Sequence, residues 1–329
     1  MDRMFLKALT EAPSVGTACG PMVKLLTERF GADYTRTFVP DGFCLFQKAG
    51  AGPEALKAVF VSHLDEVGGC IYGPRSEAEG GGYHARCWGN SPEIFANATL
   101  QAFDYLTEDA KATFPIRPEL IPDGEKNRLA FHSDNIRPYR TVWTYKEETT
   151  FTDDIIEGKA LDPRVTVYAV VEAIKALDTS EIGAVFVMAE ECAMEVALKA
   201  NSFLQRHAPN LTLVANADVP GIQNIGEGQL NLPAIRIFEG WNFIDPSFGI
   251  RVAETLQSQG VELHLSAARS GSQTRLFTPL APTLSIALPS EGVHLPRVKM
   301  SLQGTERCIR LLKAIGENHL NGNFHFCGF

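Results

Sequence analysis

Four short apolar runs, each leading into ionisable residues, limit most strongly how this chain can fold. AVFVS runs into His63, with Asp65 two residues on, and VFVMA runs into Glu190 and Glu191. LTLVANA ends at Asp218, and TLSIALP is followed five residues later by His294. Each run has the length of a buried strand, and helix-patterned segments stand between and around them over 22–32, 165–178, 193–208 and 301–319. Strands alternating with helices predict an α/β fold: a mixed, largely parallel sheet with helices on both faces. Sites in such sheets form at the carboxyl ends of the strands, so parallel neighbours would bring these side chains to one edge. Asp162, in GKALDPR before the longest apolar helix, is a further candidate for that edge.

The stretch from 69 to 158 has another character. Proline, glycine and short β-type fragments dominate it, as in PRSEAEGGG and TFPIRPELIPDG. It predicts an inserted β-rich domain within a larger domain made of 1–68 and 159–329. Trp88, Phe95, Phe103, Tyr105, Trp143 and Tyr145 would give the insert a small core of its own or an interface.

Two histidines and several carboxylates suit zinc or a similar divalent ion. The absence of cysteine from the set favours a catalytic over a structural site. Taken singly, each residue has an ordinary role: adjacent glutamates suit a helix start, and an aspartate before a helix can cap it. Their joint occurrence in this order is more specific. Five ligands can hold two ions, with one bridging carboxylate and one histidine plus one carboxylate on each side. Glu191 would then be buried because a metal neutralises it, and Glu190 would be free to act as a base.

The remaining composition narrows the partners. A net charge of −9 argues against nucleic acid and anionic membrane surfaces, and no apolar run approaches the roughly 18 residues of a membrane span. The N-terminus reads as a short amphipathic helix without the features of a signal peptide. The seven cysteines are scattered without a CxxC pair, as expected for free thiols in a reducing cytoplasm.

SHLDEVGG, GKALDPRV, MAEECA, NADVPG and GVHLPR follow one another as in the TET or glutamyl aminopeptidase family, which includes proteins once labelled cellulase M, and TEAPSVG resembles that family's opening segment. The resemblance spans most of the chain and is faint across the insert. It implies a two-metal aminopeptidase acting on peptides, with zinc first and cobalt or manganese also suited to the ligands. It places His63 and Asp218 on one metal, Glu191 and His294 on the other, and Asp162 between them. It makes Glu190 the general base and has Asp65 accept a hydrogen bond from His63. The long gap between His63 and Asp162 matches the family's PDZ-like dimerisation insert, and implies a homo-oligomer: a dimer, or a twelve-subunit shell. The aminoacylase and carboxypeptidase group, which places its extra domain later, is the alternative amidohydrolase reading. A non-catalytic peptide-binding or assembly protein on this fold is another.

The chain departs from the family pattern beside the ligands. Pro163 follows the bridging position where the family has a second acid, and Cys192 follows the glutamate pair. Glu291 and Gly292 replace an Arg-Tyr, Leu295 replaces a serine, and SGSQT at 270–274 stands where the family tends to have GGTDA. These changes imply an altered pocket, with Glu291 a candidate for selecting a basic or amine-bearing substrate.

Overall fold

The computed structural model describes residues 1–224, 229–240 and 242–324; Cys327 lies outside them. A nine-stranded mixed sheet forms the centre. Its order is Tyr34–Val39, Phe43–Lys48, Ile182–Val187, Ala58–His63, Leu213–Asp218, Thr283–Ala287, Ala234–Glu239 and Asn242–Phe243, with His264–Ala268 also paired to Ala234–Glu239. The four middle strands are parallel, and the two strands flanking them, Phe43–Lys48 and Ala234–Glu239, run antiparallel to the middle strands they pair with. Val187 stands opposite His63, and Asp218 opposite Ala287. Register therefore brings the ionisable strand ends to a common edge.

Alternation along the strands explains why helices cover both faces. Phe46, Phe60, Phe186 and Ile286 point into one core with the helices Arg3–Glu11, Gly20–Phe30, Leu161–Leu177, Pro246–Ser258 and Leu302–Leu320. Leu45, Val59, Val61 and Val185 point to the other face, against Ala200 and Leu204 of the helix Leu198–His207. Local chemistry sets the helix starts. The Asp2 carboxylate accepts from the Phe5 N–H at 3.0 Å, and the Ser301 hydroxyl accepts from the Gly304 N–H at 3.0 Å. Pro21 and Pro246 sit in first turns, where no helical N–H is lost. Leu161–Leu177 is buried along most of its length, which matches its apolar sequence.

A second sheet of seven antiparallel strands runs from Gly68 to Tyr145. Phe95 packs edge-on to Trp143 at 4.8 Å and stacks on Tyr145 at 5.0 Å, giving this sheet its own core. Phe103 instead packs with Val15, Ala18 and Val142, and Trp88 and Tyr105 lie against that cluster. The segment between Tyr145 and residue 158 does not continue the seven-stranded sheet. Ile155–Gly158 pairs with Val298–Ser301, just beyond His294. No helix among the described residues is long and apolar enough to cross a membrane, and the six described cysteines are free thiols.

Candidate metal centre

His63 and Asp218 are the last residues of two adjacent parallel strands. Asp162 lies in the first turn of the central helix, with extended φ and ψ and a cis bond to Pro163. Glu190 and Glu191 open a short helix after Ile182–Val187, where Ala189 turns the chain at φ +63°. His294 comes from a loop and holds φ +65°.

These elements converge. His63 Nε2 is 3.1 Å from Asp162 Oδ1 and 3.5 Å from Asp218 Oδ1. His294 Nε2 is 3.5 Å from Asp162 Oδ2 and 3.2 Å from Glu191 Oε1. Two three-residue donor sets result, His63–Asp162–Asp218 and Asp162–Glu191–His294, and they share Asp162 through its two oxygens. The chemistry of the donors fits divalent ions: two imidazoles and three carboxylates, with no thiolate in either set. Glu190 belongs to neither set, yet its carboxyl stands close enough to feel His63, Glu191, Asp218 and Asp65.

The electrostatics are those of a crowded acidic cluster. Burial pushes the Glu190 carboxyl well above its ordinary range, against the pull of His63 and with the help of Glu191. Burial also raises Glu191, opposed by His294. Burial disfavours a charged His63, but Asp162, Asp218 and Asp65 outweigh it and raise the ring's pKa. The same contest at His294, with Asp162 and Glu191 prevailing over burial, brings it up to about 11. Asp218 is held well below the usual carboxylate range: burial opposes this, but His63 and Arg236 prevail. Without ions, the two imidazoles and Arg236 are the groups that balance the acids.

Asp65 stands between His63 and the turn that carries the two glutamates. Its Oδ1 is 3.4 Å from His63 Nδ1, and that nitrogen has no hydrogen-bond partner among the described residues. The Asp65 oxygens are occupied elsewhere: Oδ1 accepts from the Glu190 N–H at 2.9 Å and Oδ2 from the Glu191 N–H at 3.1 Å. Asp65 thus ties down the turn that presents both glutamates.

Three supports were not read from the sequence. Arg236, buried in the strand Ala234–Glu239, places Nη2 at 3.2 Å from Asp218 Oδ2 and 2.7 Å from Glu239 Oε1. Its signal was present: an arginine inside the apolar run AIRIF, with Glu239 three residues on, marks a buried pair. Glu239 also accepts from Ser272 and Ser285, so SGSQT belongs to a buried polar network behind Asp218. The second support is Glu66, beside Asp65, which pairs with Lys159 and Arg164. The third is Gly89 and Asn90 of the seven-stranded sheet, which touch His294; nothing in the sequence links positions so far apart.

A cleft at the Glu191–His294 side is walled by Val67, Ala160, Leu295 and Val298. Glu291 is exposed and bridges by its backbone to Lys299. Cys192 is half-buried, and burial pushes its thiol up to about 12, so it stays neutral.

A model of the M42 glutamyl aminopeptidase family matches residues 119–311, more than half of the chain. No curated protein sequence matches the chain. Among solved structures, the chain is similar to the TET1 peptidase of Pyrococcus horikoshii, described as assembling into a tetrahedron or a large octahedral shell, at 18% identity and TM-score 0.76, covering 95% of this chain and 98% of that one. It is similar to a TET aminopeptidase from a marine sediment thaumarchaeon at 14% identity and TM-score 0.78, covering 95% of each. An aminopeptidase from Desulfurococcus kamchatkensis matches at 17% identity and TM-score 0.74, covering 95% of this chain and 93% of that one. At these identities the likeness establishes the fold.

Proposed function

The chain belongs to the M42 glutamyl aminopeptidase family and is a metal-dependent peptide-bond hydrolase, and we propose that it releases N-terminal residues from peptides using two divalent ions and Glu190 as general base. The observation that carries this reading is the shared Asp162. One oxygen faces His63 and the other faces His294, while Glu190 stands beside both donor sets and belongs to neither. His63 and Asp218 would hold one ion, Glu191 and His294 the other, and Asp162 both. Zinc is the first choice, and cobalt and manganese suit the same donors. When bound, the ions supply Lewis acidity, which lowers the pKa of a water and polarises the scissile carbonyl.

The chain's own residues do the rest. The Glu190 carboxylate takes the water's proton on a side-chain oxygen and delivers it to the leaving nitrogen. Asp65 fixes where that carboxylate starts from, through the backbone of the turn. Val67, Ala160, Leu295 and Val298 give one side of the cleft an apolar wall. Glu291, on the loop that carries His294, is the candidate for favouring basic or amine-bearing substrates.

We further assign the protein to the cytoplasm and to a homo-oligomer, a dimer through the inserted domain or a twelve-subunit shell. The TET peptidase of similar fold, described as forming shells, supports the assembly; light scattering of the purified protein tests it. The activity is tested with free and N-acetylated aminoacyl amides, added zinc, cobalt or manganese, and a chelator control. Chelator-sensitive cleavage of the free-amine set alone is expected. Cleavage of the acetylated set would move the protein to the aminoacylase-like reading, and cleavage of neither would favour a peptide-binding role.

A further inference from the structure

Among the proposed ligands His294 has the weakest local support. His63 and Asp218 end strands of the central sheet, and Asp162 and Glu191 lie in helices. His294 lies in a loop, at a positive φ that a histidine adopts only when its surroundings hold it there.

The holding contacts come from the seven-stranded sheet. The Nδ1 of His294 lies 3.0 Å from the Gly89 carbonyl oxygen. A proton on Nδ1 donated to that carbonyl leaves the Nε2 lone pair free, and Nε2 is the atom that faces Asp162 and Glu191. Asn90 Nδ2 donates to the His294 backbone carbonyl at 2.9 Å and lies 3.2 Å from the Tyr145 hydroxyl. Tyr145 stacks on Phe95 within the core of that sheet, so Asn90 is anchored there at one end and to His294 at the other. Gly89 approaches more closely than any other residue type could. At φ +75°, an added Cβ would stand 2.2 Å from Val67 Cγ1 and 3.3 Å from Glu191 Oε2. The turn thus touches one ligand of the Glu191–His294 pair and closes on the other.

We propose that the Gly89–Asn90 turn is a positioning element for the metal held by Glu191 and His294, so that occupancy of this position depends on how the inserted sheet is seated, whereas the position at His63 and Asp218 does not. This rests on the two-ion reading above. The inserted domain is then part of the catalytic machinery as well as a candidate assembly surface.

Titration of the ion-free full-length protein with cobalt, followed by visible absorbance and calorimetry, tests it. The wild type should take up two ions. Asn90→Ala should weaken one ion by about 10–100-fold, the usual cost of losing an outer support of a ligand, and leave the other unchanged. In a His294→Ala background, Asn90→Ala should change the remaining ion's affinity by less than about twofold, because the two residues act on the same position. Asn97→Ala removes a comparable contact in the same domain, from Asn97 Nδ2 to the Glu93 carbonyl at 2.8 Å, and should leave both ions alone. Wild-type affinities in Asn90→Ala, or equal weakening of both ions, would overturn the proposal. A wild type that binds fewer than two ions would instead refute the two-ion reading, and the proposal with it.

Discussion

Lys159 Nζ lies 2.6 Å and 2.8 Å from the two carboxylate oxygens of Glu66, and neither side chain reaches water. The same carboxylate accepts from the Ser14 N–H at 3.2 Å and the Thr144 hydroxyl at 2.9 Å, and lies 3.4 Å from Arg164 Nη2. It therefore ties together the N-terminal segment, the last strand of the inserted sheet and the start of the helix that carries Asp162. Lys159→Met leaves a buried carboxylate with one cation at longer range, and should cost about 3–5 kcal/mol in urea unfolding. Adding Glu66→Gln takes the carboxylate away but leaves Arg164 without its counter-ion, so the double variant should lose less than the two single variants summed. A loss in the double variant equal to the sum of the two single losses would mean that the pair is not coupled.

Glu190→Gln keeps the shape of the side chain and removes its ability to take a proton. Both ions should remain at wild-type stoichiometry, since Glu190 belongs to neither donor set. Turnover should fall by about 100-fold or more, the range of a lost general base. His63→Ala should instead lose an ion. Undiminished turnover in Glu190→Gln would remove it from the mechanism.

The convergence of His63, Asp162, Glu191, Asp218 and His294 was legible because parallel strands end at one edge, so a residue's place in its strand is nearly its place in space. The apolar runs showed the strands, and the helix at 165–178 showed where Asp162 begins it. What holds these groups was hidden for a different reason. Gly89 and His294 meet because two sheets are packed together, and no periodicity reports such a contact. Thr150–Phe151 and Ile155–Gly158 read as the end of the insert, yet they pair toward Val298–Ser301, a register that only the tertiary fold decides. The family resemblance makes Asp65 an acceptor from His63. That likeness does not show that the turn at Ala189 brings two backbone N–H groups onto the same carboxylate.

Removing the ions should change how stability depends on pH. In the ion-free cluster His63 is raised and His294 stands at about 11, because carboxylates outweigh burial. A group raised on folding contributes stability that is complete below its unfolded value, about 6.5 for histidine. The His294 contribution then declines as pH rises and is gone above about 11. Chelated protein should therefore lose urea resistance between about pH 6.5 and about pH 11 more steeply than loaded protein. Rebinding zinc near pH 8 should release protons, because the ligand rings must give up theirs; the calorimetric heat should vary with the buffer's ionisation enthalpy. A heat independent of buffer would contradict the protonated cluster.

Asp65→Asn separates two roles for one carboxylate. Asparagine keeps a single acceptor, so one of the N–H groups of Glu190 and Glu191 would face an amide N–H instead of an oxygen. An unmatched buried donor costs about 1–3 kcal/mol, and the turn at Ala189 would shift to relieve it. A shift of roughly 1 Å at the base can lower turnover by about 100-fold. If Asp65 works through the turn, as its contacts at 2.9 Å and 3.1 Å argue, turnover should fall at saturating metal while the affinity for the ion at His63 and Asp218 holds, and any weakening should fall on the ion held by Glu191, which the same turn carries. If it works through His63, the ion at His63 and Asp218 should bind about 10–100-fold more weakly, and turnover should recover once metal is in excess. Measuring cobalt affinity and kcat on the same preparation decides between them, because the turn moves the base and leaves the ligands of that ion in place.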